Sequence, residues 1–281
     1  MRTPGAGDLD AETRARYAAL TRLDHLAFEG LLARFIVTTP RQTYVDYAAL
    51  AASDEARLQL DQYLALLDVV TADQLADDAE RRAYWFNAYN AAVLRGVLTF
   101  WGDDPGYSVA DEAFVFFDQP IWSFGGLVVS LNQVEHGIIR GDAAHTSLRT
   151  LDDAGRAALA RLHTGLWGGE DPDPRVHVAL VCASLSCPNL AAATPRAFRA
   201  ASLDDQLTAL TAAFLADPAK GAGPAGISSL FLWYAPDFAR AGYSGAEDFI
   251  ARHRAGGTAG VELGRYLPYD WTLNAAPADL P

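Results

Sequence analysis

The chain holds two cysteines, and both fall in one segment: Arg175-Val-His177-Val-Ala-Leu-Val-Cys182-Ala-Ser184-Leu-Ser186-Cys187-Pro188. A cysteine thiolate is a strong nucleophile, and a helix N-terminus or a nearby imidazolium lowers a thiol pKa from about 8.5 toward neutrality. Val176 to Cys182 is apolar and β-branched and reads as a buried strand. A serine-containing turn follows, and Pro188 suits a first helical turn. Cys187 at that helix start is the better-placed nucleophile. Cys182 closes an apolar strand and is readable as inert packing, and packing alone would account for both thiols. The amides between Ala183 and Cys187 would supply oxyanion donors, with Ser184 and Ser186 in support.

Glu135-His136 is the second candidate. Ser130 and Gln133 make a capping box, Gly141 is a left-handed stop after Arg140, and the helix between them runs from Leu131 to Arg140. On it Asn132, Glu135, His136 and Ile139 share a face. An imidazole beside a carboxylate can be a general base or a metal ligand; the same pair also suits a polar surface stripe. His177, among apolar neighbours, reads as a hydrogen-bonded core histidine. Asn87 and Asn90 lie inside an apolar helix, where an unsatisfied amide costs about 1–3 kcal/mol. They either orient a catalytic histidine or tie the helix to a loop backbone.

Helical spacing of apolar residues predicts helices over Leu20 to Ile36, Tyr47 to Val70 and Ala79 to Trp101, the last apolar on nearly every side and so central. Ala113 to Phe117 reads as a short strand. Ile121 to Phe124 and Leu127 to Ser130 read as a hairpin turning at Gly125-Gly126. Further helices are expected at Thr150 to Leu166, Leu203 to Ala216 and Gly245 to Arg254. Gly221 to Gly226 is a turn, and Ile227 to Tyr234 a late strand or a strand-to-helix junction. Helices first and mixed short elements later make an α+β fold, with N-terminal helices on a small mixed or antiparallel sheet. Residues 1–19 form a polar N-terminus open to disorder, and 20–281 one domain, with a helical subregion (20–102) and an α+β core (103–281).

Twenty-two basic against 35 acidic side chains leave a net charge of −13, which opposes nonspecific binding to nucleic-acid phosphates or anionic lipid. The chain reads as soluble, with no membrane span. Two cysteines exclude a disulfide framework and a four-cysteine zinc site. Lys220, the one lysine, lies in a flexible-looking stretch and is discounted as a catalytic group. No phosphate-binding loop is present, and no cofactor is implied. A small-molecule or peptide substrate is the expected partner. Met1 to Arg16 is not a signal peptide. The protein would be periplasmic or secreted if a signal has been removed, and cytoplasmic otherwise.

Taken with Asn87-Ala-Tyr89-Asn90-Ala, Ser130-Leu-Asn132-Gln-Val-Glu135-His136-Gly-Ile-Ile-Arg140 and the closing Tyr269-Asp270-Trp271-Thr-Leu-Asn274, the cysteine segment resembles domain-of-unknown-function family 547 (DUF547). The resemblance runs in the family's order and spacing from about Tyr44 to Asn274. It implies a permuted papain-like core, a bacterial origin, and a cysteine hydrolase or transferase whose histidine precedes its cysteine. Glu135 and His136 match the family's Glu-His helix; His177, Cys182 and Cys187 match its His-to-Cys segment; Asn87 and Asn90 match its Asn-containing helix. Asn189 departs from the pattern, standing where a second proline is common.

The leading expectation is acyl transfer from an amide, peptide or thioester. Cys187 attacks, with Cys182 as alternative; His136 takes the proton; Glu135 or a central-helix asparagine orients the ring. Two other readings use the same residues: a zinc site of His136, His177, Cys182 and Cys187, and an inactive binding or scaffold protein on the same fold. A Cys182–Cys187 disulfide would silence the thiols.

Overall fold

The central helix, Asp78–Phe100, organises the molecule. Asp77 caps it by accepting from Glu80 N–H, and acidic residues in its first turn complement the helix dipole. It is buried on every side from Ala83 to Leu94, as its composition predicts. Around it pack Asp54–Val69, Asp153–Trp167 and the segment carrying Glu135-His136. The computed structural model describes residues 5–39, 42–104, 106–190 and 196–277.

The N-terminal third is helical as expected, with two differences. The helix expected over Tyr47 to Val70 is two, Tyr47–Ala52 and Asp54–Val69, because Ser53 adopts extended backbone and caps the second through Ala56 N–H. The polar N-terminus is not wholly irregular either. Ala11–Ala18 is a helix capped by Asp10, and none of its residues is buried. Leu26–Phe35 lies inside the first expected helix.

The strands form three separate antiparallel pairs rather than one small sheet: Ile36–Thr38 with Thr43–Val45, Trp122–Phe124 with Leu127–Val129, and Ala222–Gly223 with Gly226–Ile227. The architecture is α+β. The Gly125-Gly126 turn is as expected: both residues have positive φ, +58° and +77°. The helices expected at 150–166, 203–216 and 245–254 are present as Asp153–Trp167, Leu203–Ala216 and Ala246–His253. Ile227 to Tyr234 is the strand-to-helix junction, passing from Ile227 into Leu230–Trp233.

Two expected strands are not strands. Ala113 to Phe117 belongs to the helical segment Asp111–Asp118, whose Glu112, Ala113 and Phe114 are left-handed and which buries Phe116 and Phe117. Val176 to Cys182 begins as one helical turn, Val176–Ala179, and then extends. Among the described residues no strand pairs with it. Instead Asn90 takes over the backbone groups a strand partner would bond: its Nδ2 donates to Ala179 O (2.9 Å) and its Oδ1 accepts from Val181 N (3.1 Å). Asn87 does the same for Phe198, at 2.8 and 2.9 Å. Both asparagines therefore tie the central helix to loop backbone. Nor does a helix start at Pro188. Pro188 to Leu190 is irregular, and residues 191–195 lie outside the described residues.

Candidate functional site

Cys182 sits on a turn held from three sides. Asn90 fixes the chain before it. The closing segment clamps the chain after it, through Asn274 N to Ala183 O (2.9 Å), Leu185 N to Thr272 O (2.9 Å) and Ser186 N to Asp270 O (3.2 Å). Ser186 Oγ accepts from Asp270 N at 2.8 Å, so its role is to join these two segments. Between the restraints, Ala183 is forced to φ +62°, a left-handed conformation that costs a non-glycine residue about 1–2 kcal/mol. The turn presents the Cys182 sulfur 3.1 Å from Ser184 Oγ and 3.3 Å from Tyr269 OH. Cys182 N–H donates to Cys187 Sγ at 2.9 Å.

These contacts divide the two thiols. Burial alone would raise the Cys182 pKa, but hydrogen bonds from Cys187, Ser184 and Tyr269 stabilise its thiolate and bring it to about 7. Burial and the neighbouring Cys182 push the Cys187 thiol well up. The lowered pKa thus falls on Cys182 and not on Cys187, the thiol favoured from sequence, because burial and Cys182 itself oppose the Cys187 thiolate. Three of the expected oxyanion amides are also committed: Leu185 and Ser186 to the closing segment, and Cys187 N to Ser184 O. The Ser184 amide is turned on the Cys182 sulfur.

A cavity of about 90 Å3 opens on this turn, and Cys182, Cys187, His177, Glu135, Tyr89, Tyr234 and Tyr269 are among its walls. Behind it lies a buried charge network. The wide turn from Gln133 to Ile139, which bonds Arg140 N to Glu135 O (2.8 Å), brings Glu135, His136 and Arg140 all inside. The capping box and the Gly141 stop delimit this segment as expected. Glu135 accepts from Tyr89 OH (3.0 Å) and Tyr234 OH (2.8 Å). Burial opposes its ionisation, but His136, the Tyr234 hydroxyl and Arg140 hold the carboxyl below the usual range.

His136 is not a surface residue. Its Nδ1 meets Arg140 Nη1, its ring stacks on His145 at 3.5 Å, and burial lowers its pKa to about 4, which keeps it neutral. Asp237 closes the network by accepting from Arg140 Nε (2.6 Å), His177 Nε2 (3.0 Å) and Arg240 Nη2 (2.8 Å). These partners outweigh burial and hold its carboxyl well below the usual range. His177 stacks on Tyr234 at 3.9 Å, and burial lowers its pKa despite Asp237. His177, not His136, reaches the cavity wall. Among the described residues neither thiol bonds an imidazole, and both cysteines are free. His136, His177, Cys182 and Cys187 do not assemble as a zinc set: no three His, Cys, Asp or Glu side chains among the described residues converge to hold a metal.

The model of a family described as a protein of unknown function, DUF547, matches residues 73–215, just over half of the 281-residue chain. The chain belongs to the DUF547 family. No curated protein and no solved structure matches it. The DUF547 match holds both thiols, both asparagines, Glu135, His136, Arg140 and His177, but the geometry recruits residues beyond it. Tyr269 comes from the closing motif, whose spacing had marked the segment without assigning the hydroxyl. Tyr234 and Asp237 carry no local signal; Tyr234 joins Leu230–Trp233 to Ala235–Arg240, which carries Asp237, and the two reach the site by meeting His177, one by ring stacking and the other by a hydrogen bond. Lys220 is the plainest correction. It is buried, and its Nζ donates to Cys187 O (3.0 Å), Asn189 Oδ1 (2.6 Å) and Gln42 Oε1 (2.8 Å), pinning the turn's far end.

Proposed function

We propose that this DUF547 protein is a cysteine-dependent acyl-transfer enzyme, a hydrolase or transferase acting on an amide, peptide or thioester, with Cys182 as nucleophile. The observation that carries this reading is the Cys182 thiol on the wall of a cavity, held at about pKa 7 by the Cys187 thiol, the Ser184 and Tyr269 hydroxyls and the Ser184 amide. At neutral pH about half of such a thiol is thiolate. The sulfur adds to the acyl carbon, the leaving group departs with a proton, and water or an acceptor then cleaves the thioester. The amides of Ala183 and Ser184 are the oxyanion donors this requires.

His177 replaces His136 as the proton carrier. With Nε2–H donated to Asp237, its Nδ1 lone pair is free to take the thiol proton and return it to the leaving group. Substrate binding has to bring the ring to the sulfur, as catalytic hydrogen bonds commonly tighten only in the complex. His136 and Arg140 then act as positioning residues behind Glu135 and Asp237. The permuted papain-like core is part of the same proposal, supported by the order of histidine before cysteine and by the carboxylate behind the imidazole.

Alkylation with iodoacetamide across pH, read by peptide mass spectrometry, tests the reading. Cys182 labels with a midpoint near pH 7 and Cys187 stays protected. A Cys182 midpoint at 8.5 or above, or faster labelling of Cys187, removes the basis for the assignment.

A further inference from the structure

The cavity wall has a charge signature. Its residues include no lysine or arginine; its one carboxylate, Glu135, is held ionised, and the Cys182 thiolate adds a second negative charge. Toward solvent the same wall turns aromatic. Trp233, Tyr269 and Trp271 touch one another, with centroids 4.8 Å apart for Trp233–Tyr269, 4.4 Å for Tyr269–Trp271 and 5.8 Å for the stacked tryptophans. Phe114 extends the row against Trp271 at 4.8 Å. These rings are not core: Trp233 is 43% exposed and Phe114 38%. A half-exposed row of rings beside a nucleophile offers contact to flat or apolar groups, and the electron-rich ring faces favour cations over anions.

We propose that Trp233, Tyr269 and Trp271 form the specificity subsite of the acyl-transfer reaction, selecting substrates with an uncharged or cationic ring-bearing group and rejecting anionic ones. The inference rests on Cys182 being the nucleophile. The small cavity takes the acyl carbon and little more, since about 90 Å3 is the share of roughly three water molecules. The bulk of the substrate therefore lies on the aromatic row. Glu135 and the thiolate repel a carboxylate or phosphate placed there, and the nearest cations, Arg140 against Tyr234 and Lys220 at Cys187 O, are held behind the wall by their own partners.

Four chloroacetamides test this on the whole protein: the parent compound, its N-phenyl derivative, and the para-carboxy and para-trimethylammonio forms of that phenyl compound. Each Cys182 labelling rate is divided by the same reagent's rate with glutathione. The phenyl and trimethylammonio reagents are expected to exceed the parent by about tenfold, and the carboxy reagent to fall below the phenyl by about as much. Trp233→Ala should erase the phenyl preference, read as the ratio of the phenyl rate to the parent rate within the same variant. Leu232→Ala, on an adjacent residue that is 52% exposed and outside the cavity wall, should leave that ratio unchanged. Equal normalised rates for all four reagents, preference for the carboxy form, or a Trp233→Ala variant that keeps the phenyl preference would overturn the subsite while leaving the nucleophile standing. Failure of every reagent to label Cys182 at neutral pH would overturn the nucleophile and the subsite with it.

Discussion

The thiol turn and the charge network behind it share a cavity but are built on opposite principles. In the network each charge is compensated: Asp237 takes three donors, Glu135 takes two hydroxyls, and Arg140 spends its guanidinium on Asp237 and His136. At the turn, compensation is partial. Cys182 has the Cys187 thiol, two hydroxyls and the Ser184 amide, enough to lower its pKa, but among the described residues no cation is bonded to its sulfur. A saturated network holds geometry; an undersatisfied thiolate keeps its reactivity. The difference separates the residues that hold the geometry of the site from the thiol proposed as its nucleophile.

The sharpest test is chemical. Cys182→Ser should abolish labelling at the turn and lower any thioesterase or amidase activity at least about a thousandfold, whereas Cys187→Ser should retain the Cys182 reaction. Next is stability. Asp237→Ala leaves Arg140 buried without its carboxylate and should cost about 3–5 kcal/mol in urea unfolding. If the two regions are independent, the Cys182 midpoint in the same variant stays near pH 7. A shift of a full unit would show that the network sets the thiol as well.

Acidification should expose the network before the turn. His136 has a folded pKa of about 4, below its ordinary 6.5, so the unfolded chain binds that proton first. Its contribution is complete above pH 6.5 and is lost as pH falls through 4, amounting to about 3 kcal/mol. Glu135 and Asp237, both depressed, add their own loss below the ordinary carboxylate range. Denaturation curves between pH 7 and 4 check the sign, and His136→Gln should flatten the upper part of that slope.

Two smaller effects refine the turn. Asn90→Ala frees Ala179 O and Val181 N and should cost about 1–3 kcal/mol; it should also broaden Cys182 labelling. Asn87→Ala, which frees Phe198, should cost as much and leave the thiol unaffected. Tyr269→Phe removes one of the bonds that stabilise the thiolate and should raise the labelling midpoint by about one unit or less.

What could be read along the chain was whatever a few neighbouring residues decide. The Ser130–Gln133 capping box, the Gly141 stop, the Gly125-Gly126 turn and the helix Leu203–Ala216 all follow from local bonds or local periodicity. The strand expected at Val176 to Cys182 failed because its apolar run was shaped by Asn90 of another element, which periodicity does not register. The flexible-looking stretch around Lys220 failed for the same reason: a Gly- and Pro-flanked lysine reads as part of a loose loop until Cys187 O, Asn189 and Gln42 are seen to surround it.

By itself, then, the sequence determined which residues are chemically available: two thiols in one segment, a Glu-His pair on a capped turn, and two asparagines inside the central helix. Tertiary structure decided which of the two thiols has its pKa lowered. The Cys182 pKa depends on donors within a few ångströms: Cys187 and Ser184 are near neighbours in the chain, but Tyr269 lies 87 residues away, and Asp237, which accepts from His177, lies 60 residues from that ring. Only folding brings them together.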